Sequence, residues 1–407
     1  MSTSFWTLPT QNVKNLNRHA IVDLIRFTPG GISRVELARH MGLTRAAVTS
    51  IVNDLSKAGL VREVESHYPA GRRPIVLEVN PSRGYVIGVD MGATHVTVIL
   101  ADFAAQVIAE VEEPLDISAG AEECLNRVDK IVRSLIFANG LKLSDISAVG
   151  IGVPGPIDID AGMVIEPPIM PGWDQFPIRD YLKKLWGCEI SLGNDAELGA
   201  VGEWAYGAGR GERNLAYIKM GTGIGAGLLL EGQIYHGATG SAGEIGHITI
   251  EDNGPICTCG NRGCLEAIAG GWAIAREAVT AAKTNRRSQL ALITPVESIT
   301  ARDVITAARN GDLTSQKIMI DAGAHLGTAI ASLVNLFNPS MVVIGGGVAQ
   351  MGDLLIDPVR KTVAERSLHM VSRSVRITSA LLGRRSSAMG AVVQALSLSL
   401  HQFAELH

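Results

Sequence analysis

Three short apolar runs in this chain each stop at a glycine-rich loop, and that pairing constrains the fold more than any other feature. Val149–Val153 ends in Pro154-Gly-Pro, Leu215–Met220 in Gly221-Thr-Gly-Ile-Gly-Ala-Gly, and Met341–Ile344 in Gly345-Gly-Gly. Glu189–Leu192 reads as a further strand, Tyr85–Val89 with Val96–Ala101 as a hairpin, and residues 121–139 and 314–337 as helices, the second stopped by Pro339. Strands alternating with helices, with glycine at the strand ends, mean α/β layering. The 45 glycines and 4% aromatic content suit that class better than a β-sandwich. A length of 407 residues implies two to four domains. No run approaches the roughly 20 apolar residues of a membrane span, and the first residues lack the charged-then-apolar order of a signal peptide. A soluble, cytoplasmic protein is expected.

Pro81–Gly84 marks a boundary, and the pattern before it is different. Residues 13–27 read as a helix with Val13, Leu16, Ile21, Leu24 and Ile25 as its apolar set. Ser33-Arg-Val-Glu36 has capping-box form and starts a short helix; Gly42-Leu43 turns the chain; Thr44 caps a helix running to about Lys57, ended by Gly59. Two strand-like runs, Leu60–Val64 and Ile75–Val79, flank Pro69-Ala-Gly-Arg-Arg-Pro74. Two short helices on a glycine turn followed by a two-stranded wing describe a winged helix-turn-helix. Thr44, Arg45, Thr49, Ser50 and Asn53 face away from the apolar stripe and can reach operator DNA. Arg72 and Arg73 at the wing tip suit a narrow minor groove. Charge agrees: residues 1–82 hold ten Lys/Arg against six Asp/Glu (+4), and the remainder 26 against 34 (−8). The bland alternative, a helical protein-interaction domain with a solvated polar face, explains neither the turn glycine nor the arginine wing.

Cys257-Thr-Cys259-Gly-Asn-Arg-Gly-Cys264 puts three soft ligands on one tight turn. In a reducing compartment such clustering favours metal over disulfides. Structural Zn2+ is four-coordinate, and His247 in Glu244-Ile-Gly-His247 is the best fourth ligand. Such a site is closed, with no open position for a water nucleophile. Nearby, Asn194-Asp195, Glu244 and Glu266 offer the amide and carboxylates that pair with adjacent sugar hydroxyls. Gly221-Thr222-Gly223-Ile-Gly225 could turn backbone N–H groups toward phosphate. Asp90-Met-Gly92-Ala-Thr94 could meet a magnesium-bound phosphate, and Gly345-Gly346-Gly347 could pack under a base or ribose. Tight turns need glycine in any case.

Together these segments resemble the ROK family (repressors, open reading frames, kinases), on its regulator branch, the xylose, glucose and N-acetylglucosamine repressors. The resemblance rests on Gly152-Val-Pro-Gly155, Asn194-Asp195, Gly221-Thr-Gly-Ile-Gly225, Glu244-Ile-Gly-His247, Cys257-x-Cys259-Gly-x-x-Gly-Cys264-Leu-Glu266 and the Gly71-Arg-Arg-Pro74 wing. It implies an actin-like body of two ribonuclease-H-like lobes with a sugar in the cleft, and a homodimer or homotetramer. On this reading residues 1–82 are the head. The smaller lobe is 83–193 with a C-terminal helix over 384–407, and the larger lobe, 194–383, carries the zinc and the oligomerisation surface. Asn194, Asp195, Glu244, His247 and Glu266 would line the sugar site; in kinase members the residue matching Asp195 is the general base. Departures from the kinase pattern weaken the ATP/Mg2+ site. Ala93 and His95 stand in the first loop, Ala226 interrupts the second, and Ile169 replaces a sugar-binding Asn. The expected function is a repressor released from its operator by a sugar effector. The alternatives are an ATP-dependent, glucokinase-like sugar kinase with a DNA-binding appendage, and an activator or a regulator governed by a protein partner.

Overall fold

The computed structural model describes residues 12–65, 75–167 and 170–406. In the head, α1 spans Asn12–Phe27, α2 Arg34–Met41 and α3 Arg45–Lys57. The Ser33 hydroxyl accepts the Glu36 N–H, and the Glu36 carboxylate accepts the Ser33 N–H at 2.9 Å, forming the expected capping box. Gly42 closes α2 at φ +63°, a left-handed conformation that suits glycine, and Thr44 caps α3. Val48, Ile51, Val52 and Leu55 are buried along one side of α3. The wing strands β1 (Val61–Glu65) and β2 (Ile75–Val79) pair antiparallel, the first displaced by one residue from its expected position. Ile32 exchanges backbone hydrogen bonds with Leu77 and so pins the wing to the helices. The loop carrying Arg72 and Arg73 lies outside the described residues.

The body opens with β3 (Tyr85–Met91), β4 (His95–Asp102) and β5 (Val107–Pro114), then α4 (Ala121–Ala138) and β6 (Ile146–Val153). A short ribbon, β7 (Ile157–Asp158) with β8 (Met163–Val164), precedes α5 (Ile178–Trp186) and β9 (Glu189–Asn194). The sheet order is β5-β4-β3-β6-β9: an antiparallel meander extended by two parallel strands. α6 (Asp195–Tyr206) leads into β10 (Leu215–Met220), β11 (Ile224–Leu230) and β12 (Gln233–Ile234). Helices α7 (Leu265–Ala269), α8 (Gly271–Thr284), α9 (Ala301–Arg309) and α10 (Leu313–Phe337) follow, then β13 (Met341–Gly345), α11 (Asp353–Arg366), α12 (His369–Ser374) and β14 (Arg376–Ser379). This second sheet runs β12-β11-β10-β13-β14, with the same alternation of antiparallel and parallel pairs. Two lobes of one topology make the body actin-like. Among the described residues α10 alone is long and apolar enough to cross a membrane. Here it is a core helix of the second lobe, burying Met319, Leu326, Ile330 and Val334.

The last helix, α13 (Ser386–Leu406), returns to the first sheet and lies against β3, β6 and α6. Glycines let the backbones touch. A methyl group on Gly88 or Gly150 would strike the carbonyl oxygens of Ala388 or Ala391, and one on Gly202 or Gly390 those of Ser386 or Leu198. The buried Glu203 carboxylate ties the junction, accepting the N–H groups of Leu381 (3.0 Å) and Leu382 (2.9 Å) and the Ser386 hydroxyl (2.7 Å).

The opposite side of α13 carries the head. Arg18 donates to Ala404 O at 3.1 Å; Arg26 donates to the Ser397 hydroxyl at 3.0 Å and to Val393 O at 3.1 Å. His401 pairs with Asp23 at 3.1 Å and stacks on His19, with centroids 4.1 Å apart. One apolar cluster runs from Ile21 and Val52 through Leu396 and Leu400 to Val86 and Ile99. Ile21, Leu24 and Ile25 of the expected apolar face of α1 pack on this cluster, and the face departs from expectation at Leu16. Ile21, Val22 and Ile25 are buried and Arg18 is drawn in, whereas Leu16 is 46% exposed; the side chain of Val13 lies outside the described residues.

Gly390→Ala should lower stability by about 1–3 kcal/mol, the usual cost of overpacking. Gly347→Ala, where an added methyl meets nothing within 4 Å, should leave the melting temperature near that of wild type. Equal melting temperatures for the two variants would show that α13 is not closely packed.

Candidate functional site

A cleft of about 500 Å³ opens between the lobes. The first lobe lines it with the β3–β4 turn (Gly92, Ala93, His95) and the end of β6 (Pro154–Pro156); the start of α6 (Asn194–Ala196) lines it where the lobes meet, and the second lobe adds Lys219, Gly221–Ala226, Glu244, His247 and Glu266. The cleft therefore lies at the carboxyl ends of parallel strands, where open α/β sheets place their ligands.

Asn194 ends β9 and caps α6. Its Oδ1 accepts the N–H groups of Ala196 (2.8 Å) and Glu197 (3.1 Å), and its Nδ2 donates to Gly155 O at 3.1 Å. One amide N–H is left for a ligand. Asp195 opens α6 with its carboxylate in the cleft. Glu266, on α7, accepts the Ile224 N–H at 3.0 Å, so it also holds the Gly221–Gly225 loop. A methyl on Gly223 would meet the Glu266 carboxylate, so a larger residue there would have to displace that carboxylate from its place. Glu244 completes the acidic lining. Burial, the nearby Glu266 and Asp195 lift its carboxyl above the usual range, although His247 opposes them.

The residue missing from the sequence reading is Lys219, the penultimate residue of β10. Its Nζ lies 2.9 Å from Asp195 Oδ2 and 3.1 and 3.3 Å from the two oxygens of Asp90, which is 2% exposed at the end of β3. Burial opposes the ammonium charge, but Asp195 and Asp90 outweigh it and hold Lys219 above the usual lysine value. The signal in the sequence was one lysine inside an apolar strand, which must find counter-charges when buried.

The phosphate-loop candidates divide. Gly92, Gly221, Thr222, Gly223 and Gly225 line the cleft, whereas Thr94 is exposed on its turn and is not among the lining residues. Gly345–Gly347 lie beside the cleft, with Gly345 in register with Lys219 on the neighbouring strand. The first two glycines are explained by packing, because a methyl on Gly345 would meet the Tyr217 ring and one on Gly346 the backbone of Met220. Ile169 lies outside the described residues.

Ligand atoms of His247, Cys257, Cys259 and Cys264 all lie within 4.8 Å of one another. Cys257 Sγ is 3.6 Å from His247 Nδ1, and Cys259 Sγ is 3.7 Å from Cys264 Sγ. A tetrahedral thiolate site has edges of about 3.8 Å, close to these two separations, so the cluster could hold a metal ion. Burial and the two neighbouring sulfurs push the Cys264 thiol up to about 12, a clash of like charges that a cation would relieve. With Nδ1 turned to the sulfurs, His247 Nε2 faces Glu244 at 3.8 Å. Cys124 and Cys188 stand apart, their thiols pushed to about 11 by burial. On the head, Thr44, Arg45, Thr49, Ser50 and Asn53 are all exposed along α3.

The ROK family profile matches residues 86–397, and a MarR family profile residues 15–73. The xylose repressor of Caldicellulosiruptor bescii is 30% identical over 378 residues, covering 92% of this chain and 94% of its own length. The glucokinase of Halalkalibacterium halodurans is 34% identical over 308 residues, covering 75% of this chain and 93% of its own. A solved ROK family transcriptional regulator, a homolog of the E. coli MLC protein, superposes with a TM-score of 0.80 at 26% identity, covering 97% of this chain and 98% of its own. The two regulators match the head and the body together, whereas the glucokinase leaves about a quarter of the chain unmatched.

His95 yields a pH prediction. Burial, then Lys219 and Arg384, lower its pKa from 6.5 to about 4. The folded protein therefore keeps His95 neutral at pH values where the unfolded chain protonates it, and stability should fall as pH drops from 6.5 toward 4. His95→Gln should flatten that limb of a melting-temperature profile; an identical acid limb in both proteins would remove His95 as its source.

Proposed function

The chain belongs to the ROK family, and on that footing we propose that it is a DNA-binding transcriptional repressor whose cleft takes a sugar and whose head then leaves its operator. The observation that carries this reading is mechanical continuity. Asn194 and Asp195 sit at the start of α6, α6 packs on α13, and α13 is hydrogen-bonded to α1 of the head. The named repressor relative also matches along both parts of the chain.

In this reading a monosaccharide is held by Asp195, Glu244, Glu266, one N–H of Asn194 and Nε2 of His247. His247 Nδ1 with Cys257, Cys259 and Cys264 holds a structural zinc, which fixes the backbone that carries Glu244 and Glu266. Thr44, Arg45, Thr49, Ser50 and Asn53 of α3 enter the major groove, and Arg72 and Arg73 extend the wing to the minor groove. Residues 1–82 act as the reader, 83–193 with the C-terminal helix as the smaller lobe, and 194–383 as the larger. Exposed Trp272, Leu313, Leu336, Leu368 and Met370 on the second lobe suit self-association into a dimer or tetramer, whose two-fold would match a palindromic operator. Operator binding places the protein in the cytoplasm. Sugar can act only by binding one head arrangement better than the other. One charge-assisted hydrogen bond made in a single state, about 1.5–3 kcal/mol, shifts the balance roughly 10- to 100-fold.

The test is to enrich duplex DNA on the full chain from a random library, then titrate the complex with xylose, glucose and N-acetylglucosamine. One sugar should release the DNA and also raise the melting temperature of the free protein. Sugar-strengthened DNA binding would indicate an activator. Sugar binding with no change in DNA affinity would defeat the coupling.

Two variants sharpen this. Cys257→Ser should lose its single zinc and weaken sugar binding, since metal binding is coupled to folding of the loop; full metal content with unchanged sugar affinity would defeat the zinc assignment. Arg26→Ala removes the bonds to Ser397 and Val393, so it should leave sugar affinity near wild type while reducing sugar-driven DNA release severalfold. Unaltered release would move the coupling away from α1.

A further inference from the structure

We propose that Lys219 is the resident cation of the cleft: its ammonium occupies the position between Asp90 and Asp195 that a magnesium nucleotide would need, which makes the site a sugar receptor without phosphoryl transfer. The inference rests on the reading of the cleft as a sugar site.

Lys219 reaches from β10 of the second lobe to Asp90 of the first and to Asp195 at the start of α6, with three Nζ–O distances of 2.9, 3.1 and 3.3 Å. Both side chains it joins are nearly buried, Asp90 at 2% and Asp195 at 15% exposure. A divalent ion would coordinate the same oxygens at about 2.1–2.5 Å, within a few ångströms of the ammonium. Two cations at that separation, both largely shielded from solvent by the buried acids, repel strongly, so one must leave. Lys219 cannot leave by losing its proton, because its two carboxylates stabilise the charged form. It can swing away only if an incoming cation takes its place at buried Asp90, so ammonium and metal compete for one position.

The surrounding backbone points the same way. The Gly92 N–H donates to His95 O at 2.8 Å and the Gly221 N–H to Gly223 O at 2.9 Å, so neither is turned outward to phosphate. The His95 ring covers Gly92, where a methyl would approach its Cε1 to 2.7 Å. The residues present therefore do not fit a magnesium nucleotide. They do fit a neutral, hydroxyl-bearing ligand: Asp195 Oδ2 is committed to Lys219, and Oδ1 is left to accept a sugar hydroxyl.

The test uses Mn2+ as the metal probe, read by electron paramagnetic resonance, and magnesium AMPPNP read by calorimetry, on the zinc-loaded full chain with the sugar panel present. Wild type should bind neither probe in the micromolar range. Lys219→Met keeps the stem and removes the charge, and it should gain Mn2+ affinity by about tenfold or more. Micromolar binding of magnesium AMPPNP by wild type, or phosphorylation of any sugar of the panel, would overturn the proposal. So would a folded Lys219→Met that gains no Mn2+ affinity. If Lys219→Met does not fold, the wild-type titrations decide alone. Failure here is distinguishable from failure of the repressor reading, which is scored separately by sugar-dependent release of DNA from the same wild-type preparation.

Discussion

Backbone-to-backbone packing of α13 is the contact on which the rest of the molecule depends. Gly88 and Gly150 in the first sheet, Gly202 in α6 and Gly390 in α13 itself each face a carbonyl oxygen too close for any side chain. Glu203 adds a carboxylate that accepts N–H groups just ahead of the helix, satisfying donors that would otherwise be buried unpaired. The consequence is geometric. A helix from the far end of the chain becomes the shared wall of the smaller lobe and the head, and α6, which carries two cleft residues at its first turn, cannot shift without pushing on it.

That arrangement gives the proposed coupling a physical carrier. Close-packed interiors move as units rather than deforming smoothly. A sugar that pulls on the start of α6 therefore acts on α13 as a body, and α1 follows through Arg18, Arg26 and the His401–Asp23 pair. The apolar cluster spanning both parts means that the head is no loosely tethered appendage.

The electrostatics of the cleft follow from the same two-lobed construction. Asp195, Glu244 and Glu266 line the cleft with Asp90 buried behind them, and Lys219 balances Asp90 and Asp195. The other two flank the cysteine cluster, Glu266 two residues after Cys264 and bonded to the glycine loop, Glu244 beside His247. Two different cations, one a side chain and one the metal the cluster could hold, would thus keep the acidic lining together.

Features governed by residues close together in the chain were legible in the sequence. The Ser33–Glu36 box, the Thr44 cap, the buried stripe of α3, the strands ending at Gly221 and Gly345, and the Cys257–Cys264 turn with His247 all stand where local chemistry places them. So did the layering of the body, because strand and helix periods are local properties. What the sequence could not determine were partners distant in the chain. Lys219 and Asp90 are separated by 129 positions, and no local rule selects that acid from among forty. Nor could it show that Asn194 and Glu266 spend hydrogen bonds on their own scaffold, that Leu16 faces outward, or that α13 joins the head to the cleft. Those depend on which surfaces meet once the chain has closed on itself. Side-chain period says which face is apolar; only packing says what it meets.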